Sequence, residues 1–153
     1  MKIPDQCVEL IKRWEGFRAE PYLCSAGYWT IGYGHVIRAP NGRMLNSKDP
    51  APQMCWTDFE ALTMLVDRDL PVYRLAVDRL CGTALTDGQL SALVSFAYNL
   101  GGGALRASTL RKKVLAGDHE EAARQFGRWV FAGGQKLRGL VLRRADEAAI
   151  YLQ

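Results

Sequence analysis

The sequence predicts an α+β fold: a short N-terminal helix, a small antiparallel sheet, then a lobe built only of helices. Residues 17–46 are rich in aromatics and glycines and show no helical period. From residue 57 onward apolar residues recur at helical spacing between recognisable caps. Strand-like and helical segments are thus segregated rather than alternating, which separates α+β from α/β. A chain of 153 residues suits one domain. Its expected parts are a helix over 4–15, a β-lobe over about 17–46 and a helical lobe over about 57–152. A cleft between two such lobes is a natural ligand site.

Each element has a local reason. Pro4 suits a first helical turn, and Val8, Ile11 and Trp14–Glu15 recur at helical spacing before Gly16 stops the helix. Tyr22–Cys24, Trp29–Tyr33 and a piece near Arg43–Leu45 read as short strands. Ser25-Ala26-Gly27 and Asn41-Gly42 are the turns between them. Thr57 and Glu60 form a capping-box pattern ahead of Phe59, Leu62, Leu65, Val66 and Leu70. Pro71 should kink or end that helix, with a continuation through Val77 and Leu80. Thr86 and Gln89 open a second helix that stops at the glycines 101–103. Ser108 caps a third helix, to Ala116. Asp118 opens a fourth through Phe126, Trp129 and Val130, and a last helix covers about Leu137–Leu152.

The hydrophobic fraction of 48% and charged fraction of 24% exclude a disordered or fibrous chain. Twenty Lys and Arg against sixteen Asp and Glu leave a net charge of +4. No concentrated basic stripe accompanies it, so no nucleic-acid partner is expected. No stretch approaches the ~18 apolar residues of a membrane span, and the N-terminus has no apolar signal core. Synthesis in a cytoplasm and free thiols at Cys7, Cys24, Cys55 and Cys81 are therefore expected. Neither the cysteine spacing nor the two histidines suggests a metal site.

Residues 15–35 carry the chemistry. Glu15 sits in the last turn of the first helix, where the dipole disfavours a carboxylate. Local rules broken without evident gain often mark functional sites. Read as one strand, Trp29–His35 puts Ile31, Tyr33 and His35 on a packed face and Thr30, Gly32 and Gly34 on a nearly bare one. Two alternate glycines suggest close approach by a ligand, or else a bulge or tight corner. Cys24 lies nine residues after Glu15 and six before Thr30. A chain doubling back through Ser25–Tyr28 makes Cys24 and Thr30 cross-strand neighbours, with Glu15 facing them.

The run Glu15-x8-Cys24-x5-Thr30, continuing Thr30-Ile31-Gly32-Tyr33-Gly34-His35, closely resembles the phage-type lysozymes, the endolysins of glycoside hydrolase family 24. So do Ser95-Phe96-Ala97-Tyr98-Asn99-Leu100-Gly101, Ser108-Thr109-Leu110, the segment Arg128–Gly134 and Gly139-Leu140-x-x-Arg143-Arg144-x-x-Glu147. The likeness covers nearly the whole chain in order. It implies a lysozyme-like fold and cleavage of the β-1,4 bond between N-acetylmuramic acid and N-acetylglucosamine in peptidoglycan. It makes Glu15 the general acid and Thr30 the residue that holds a water below the sugar ring. Most such triads carry Asp where this chain has Cys24. A free thiol is mostly protonated at neutral pH unless its pKa is lowered. Its role is left open between a water-activating thiolate, a covalent nucleophile and a polar placeholder; the first inverts and the second retains configuration.

By the same likeness His35 pairs with Asp69 as a structural unit. Asn99 either binds sugar through its amide or caps its helix end. Tyr33 and Tyr98 line the site or pack in the core, and Gly32 joins the expected substrate-binding set. Arg143, Arg144 and Glu147 read as a surface ion cluster or as a motif at the junction of the lobes. No cofactor is implied. The expected partner is the peptidoglycan glycan strand, met by a monomer that needs a separate holin-type pore to leave the host cytoplasm for the periplasm and wall. Two other functions fit the same residues: a lytic transglycosylase, and a lysozyme-like module that binds glycan without cutting it.

Overall fold

The structure, a computed structural model, describes residues 2–153. Helix α1 spans Asp5–Glu15, and the Pro4 carbonyl accepts from the Cys7 N–H at 2.9 Å in its first turn. It ends at Gly16, whose φ of +68° is a left-handed stop and whose N–H donates to Lys12 O. The chain forms two compact units: residues 11–69, and residues 2–10 with 70–153.

The first unit holds a three-stranded antiparallel sheet: β1 Arg18–Leu23, β2 Trp29–Gly32 and β3 His35–Val36. β1 pairs with β2 through Tyr22 opposite Thr30 and Leu23 opposite Trp29, then Arg18 opposite Gly32. Extra residues bulge out of β1 around Pro21, which has no N–H to give to a ladder. The expected strand through His35 does not exist. β2 stops at Gly32, the chain turns over Tyr33–Gly34, and Ile31 pairs across the hairpin with His35. Gly32 and Gly34 have φ of +67° and +91°, which end the alternation on which the bare-face reading depended. Arg43–Leu45 contributes one isolated bridge, Met44 to Arg38, rather than a strand.

Thr57 caps α2, Asp58–Met64, with both reciprocal bonds of a capping box. Ala61 and Leu65 bury themselves with Ile31, Ile37 and Tyr33. A five-residue π-helical stretch, Leu65–Asp69, then leads into α3, Leu70–Cys81. Pro71 therefore does not end the helix. It falls in the first turn of α3, where its missing N–H costs least, and the π stretch just before it absorbs the ring.

The second unit is helical around α4, Asp87–Leu100, whose residues 90–97 are all buried. A helix apolar on every side belongs in the middle of a core. α5 spans Gly102–Ala107, α6 Thr109–Leu115 and α7 His119–Phe126. β4 (Phe131–Ala132) and β5 (Gln135–Lys136) make a two-stranded ribbon, and α8 covers Arg138–Tyr151. Phe96 of α4 meets Phe126 and Trp129 edge-on, with ring centroids 5.8 and 5.2 Å apart. Gly88 lies so close to α8 that an added Cβ would stand 2.3 Å from Ile150 O. Three expectations change here. The glycine run after α4 breaks only at Gly101, φ +86°, and α5 begins at once. α7 ends at Phe126 rather than Val130. The turn Gly133-Gly134, with φ of +55° and +78°, closes a hairpin where the sequence suggested only a helix end.

Candidate active site

Glu15 is the last residue of α1 and is half-buried. Beyond Gly16 the ribbon β1–β2 brings up the other candidates, Cys24 standing nine residues after Glu15. In an antiparallel pair, opposed residues share a face and so do residues two apart. Thr30 stands opposite Tyr22, and the Cys24 N–H donates to Tyr28 O at 2.9 Å. Tyr22, Cys24, Tyr28 and Thr30 therefore lie on one face, with Cys24 diagonal to Thr30 rather than directly opposite it. Tyr22 is the residue that sequence reasoning passed over. Its position two residues before Cys24 was the available signal.

The four residues from Cys24 form a tight turn: the Gly27 N–H donates to Cys24 O at 2.8 Å, and Gly27 has φ +79°. The turn also points backbone amides at the thiol. Burial pushes the Cys24 pKa up, but hydrogen bonds from the Tyr28 backbone, the Thr30 hydroxyl, and the Ala26 and Gly27 backbones outweigh it, and the net shift is downward. Thr30 has one hydroxyl proton, and its Oγ1 donates to Tyr28 O at 3.0 Å. The Thr30 bond to sulfur and the bond to that carbonyl are alternatives, so the backbone amides carry most of the effect. Thr30 itself is buried.

Tyr22 responds to both neighbouring acids. Burial raises its phenol first, the Glu15 charge adds to this, Arg18 opposes it, and Cys24 raises it further. The Arg18 guanidinium lies 4.9 Å from the Tyr22 ring centroid. The other buried thiols contrast with Cys24. Burial lifts Cys7 to about 12 and Cys81 to about 11, with Arg74 and Arg111 only partly offsetting it. All four cysteines are free.

The remaining candidates have definite places. His35 Nδ1 is 2.9 Å from Asp69 Oδ1, and the imidazole lies against Trp56 at 5.4 Å. The pair is part-exposed, at 25% and 19%, rather than sealed in a core. Gly32 does not clear a floor for a ligand. An added Cβ would meet Ala61 Cβ at 3.0 Å and Trp56 Cε3 at 3.1 Å, so the close approach is by the protein itself. Tyr33 is 5% exposed, its hydroxyl donates to Asp58, and Lys12 sits 5.7 Å from its ring centroid, so it is a packing residue. In the second unit Tyr98 packs edge-on against Tyr73 at 5.0 Å. Asn99 is exposed, and its Oδ1 accepts from Arg144 Nη2 at 2.8 Å. Arg143, Arg144 and Glu147 are 4%, 1% and 0% exposed, which rules out the surface-cluster reading. Burial raises the Glu147 carboxyl, and Arg144, Arg143 and Ser95 act in the opposite direction.

Glu15 at the end of α1 offers a carboxyl group, and Cys24 and Thr30 on one face of the β1–β2 ribbon offer a thiol biased toward its anion and a hydroxyl. Among the described residues no group of His, Cys, Asp and Glu is arranged to hold a metal ion.

The phage lysozyme family model matches residues 12–147. The endolysin of Bacillus phage B103 is 37% identical over 154 residues, covering 99% of this chain and 54% of that protein. The chain thus spans about half the length of the first curated relatives it matches. The endolysin of Acyrthosiphon pisum secondary endosymbiont phage 1 is 34% identical, covering 99% of this chain and 98% of that protein. Among solved structures, the muramidase domain of SpmX from Asticaccaulis excentricus aligns with a TM-score of 0.81 at 35% identity, covering 99% and 98% of the two chains.

Proposed function

Since the chain belongs to the phage lysozyme family, we propose that it is a muramidase that cuts the glycan strands of peptidoglycan during host lysis. The bond is the β-1,4 link between N-acetylmuramic acid and N-acetylglucosamine. Glu15 protonates the departing sugar oxygen. The Cys24 thiolate takes a proton from a water that Thr30 holds, and that water attacks the anomeric carbon from the opposite side. The product has inverted configuration. Glu15 ends as a carboxylate and Cys24 as a thiol, so one proton passes from Cys24 back to Glu15 through solvent before the next turnover.

The observation that carries this reading is the thiol. A cysteine in the place of an aspartate is a poor base unless its pKa is lowered, and the amides of the Cys24–Tyr28 turn supply that shift. Asn99 and Tyr98 contribute substrate contacts, whereas His35 and Asp69 hold the fold. Among the described residues no helix is long and apolar enough to cross a membrane. The proposal includes access to the wall through a separate holin-type pore, with the enzyme acting as a monomer.

The test is release of new reducing ends from purified peptidoglycan by wild type beside Glu15→Gln, with thermal melts of both. Activity lost in a folded Glu15→Gln identifies the acid. Anhydro-sugar ends in the products would replace hydrolysis by a transglycosylase reaction. Binding with no release of ends in either form would refute the enzymatic reading. Retention of configuration, with a sugar mass trapped on Cys24, would make the thiol a nucleophile rather than a base.

A further inference from the structure

Helix α3 and the short helix α5 pack together in the second unit, and a cavity of about 450 Å³ lies between them. That falls in the ~300–1,000 Å³ range of small-molecule sites. α3 lines it with Ala76, Arg79 and Leu80, and α5 with Gly102, Gly103 and Arg106. None of these residues belongs to the candidate active site. The glycines leave the α5 wall without side chains. An added Cβ at Gly102 would meet only Ala76 Cβ, at 3.7 Å, and one at Gly103 nothing within 4 Å.

The charged groups on this cavity are two guanidinium groups, and no acid lines it. Elsewhere the chain matches arginines to carboxylates: Arg43 to Asp49 at 2.7 Å, Arg74 to Asp78 at 3.4 Å and Arg124 to Glu121 at 3.0 Å. Arg79 and Arg106 have no such partner among the described residues. Neighbouring Arg111 is otherwise engaged, its Nε donating to Leu80 O at 2.7 Å. Each of the two lies in the last turn of its own helix, where a cation is locally favoured. That explains them singly, but not why two helices aim like charges at one hollow without an acid between them. A concave site lined by one sign of charge focuses its potential and gathers counter-ions.

The counter-ion that fits is set by charge and shape. Guanidinium forks match the oxygen edges of carboxylates and phosphates. A carboxylate would cancel one of the two charges. A phosphate monoester carries about −1.5 to −2 at neutral pH and has three acceptor oxygens, enough for both forks. The cavity has room for more than the phosphate, and Ala76, Leu80 and the glycine wall offer neutral surface to an organic body. We propose that this cavity binds a phosphate monoester of a sugar, with the phosphate between Arg79 and Arg106. The sugar half of the assignment rests on the muramidase reading, and the phosphate half does not. The site gives the enzyme a second hold on phosphorylated envelope glycan, apart from the bond it cuts.

Three monosaccharides test it by calorimetric titration: N-acetylglucosamine 6-phosphate, N-acetylmuramic acid and N-acetylglucosamine. They match in ring and acetamido group and differ in bearing a phosphate, a carboxylate or no charge. None has a glycosidic bond to cut, so Kd is read without turnover. The phosphate sugar should bind at least tenfold tighter than the other two. Arg79→Gln and Arg106→Gln should each weaken it by about tenfold, the value of a charge-assisted hydrogen bond. Both side chains are exposed, so both variants should melt with wild type. Arg68→Gln removes the same charge from an exposed position off the cavity and should bind like wild type. Affinity should also fall between pH 7.5 and pH 5, as the phosphate passes through its second pKa of about 6 while the arginines stay charged. Equal binding of the phosphate and carboxylate sugars overturns the assignment. So does wild-type affinity in the Arg79→Gln, Arg106→Gln double variant, or an equal loss in Arg68→Gln. Tight binding of inorganic phosphate with no gain from the sugar overturns the sugar half. Failure of these titrations in a protein that still releases reducing ends sinks this site and leaves the muramidase reading standing; phosphate-sugar binding without release of ends does the reverse.

Discussion

Gly32→Ala separates two explanations of the glycine pair in the Thr30–His35 run. A glycine that admits a ligand can gain a methyl group at little cost in stability. A glycine demanded by the fold cannot. At Gly32 two costs add. Its φ of +67° strains any L side chain by about 1–2 kcal/mol. The new Cβ would stand 3.0 Å from Ala61 Cβ and 3.1 Å from Trp56 Cε3, and overpacking of this kind costs about 1–3 kcal/mol. The sum is about 2–5 kcal/mol, a large share of the roughly 5–15 kcal/mol that holds a domain folded. For a chain of this size that is a Tm fall of about 5–15 °C. Gly117→Ala is the matched control: its φ is +69°, but nothing lies within 4 Å of the added Cβ, so only the backbone strain applies. Thermal and urea unfolding of the two variants, with activity measured well below both midpoints, gives the answer. Gly32→Ala should be clearly the less stable and should keep wild-type turnover per folded molecule. Equal melting of the two variants, with activity lost only in Gly32→Ala, would refute the packing argument and restore the ligand one.

Three further outcomes are expected. Iodoacetamide at neutral pH should label Cys24 and exposed Cys55 long before Cys7 or Cys81, whose pKa values are about 12 and about 11; peptide mass mapping beside residual activity reads this, and inactivation that tracks Cys55 instead would contradict it. A thiolate base works only when ionised, so activity should fall as pH drops through the lowered Cys24 pKa, and Cys24→Asp should carry the same limb to lower pH while Cys24→Ser loses most activity; an unchanged pH profile in Cys24→Asp would remove the thiol from the chemistry. Glu147→Gln leaves two buried guanidinium groups undercompensated and should destabilise by about 3–5 kcal/mol in urea unfolding, whereas His35→Asn should cost about 1–3 kcal/mol because its bond to Asp69 is part-exposed. Equal costs at the two positions would mean that burial is not what separates them.

Much of the fold is legible in the residues because its signals are local. The capping boxes at Thr57 and Thr86, the caps at Ser108 and Asp118, and the stops at Gly16 and Gly101 each depend on atoms within four residues, and the structure forms them all. The misread segments are those where backbone torsion or distant packing decides. The apparent strand from Trp29 to His35 alternates well in sequence, yet positive φ at Gly32 and Gly34 turns it into a hairpin. Ile31 and His35 still share a face, but by pairing across two strands rather than along one.

The sequence by itself determined the order of elements, the family resemblance and the chemistry available: a carboxyl, a thiol and a hydroxyl at a fixed spacing. It did not determine the state of that thiol, because the amides that lower its pKa come from the closed Cys24–Tyr28 turn. Nor did it settle whether Arg143, Arg144 and Glu147 lie on a surface or in a core. Helical spacing brings them to one side of α8, and only the docking of α4, with Ser95 and Asn99 on it, removes them from water. Burial is a property of what packs against a residue. That is why the charge pattern could be read from the chain, while its protonation and polarity had to wait for the folded structure.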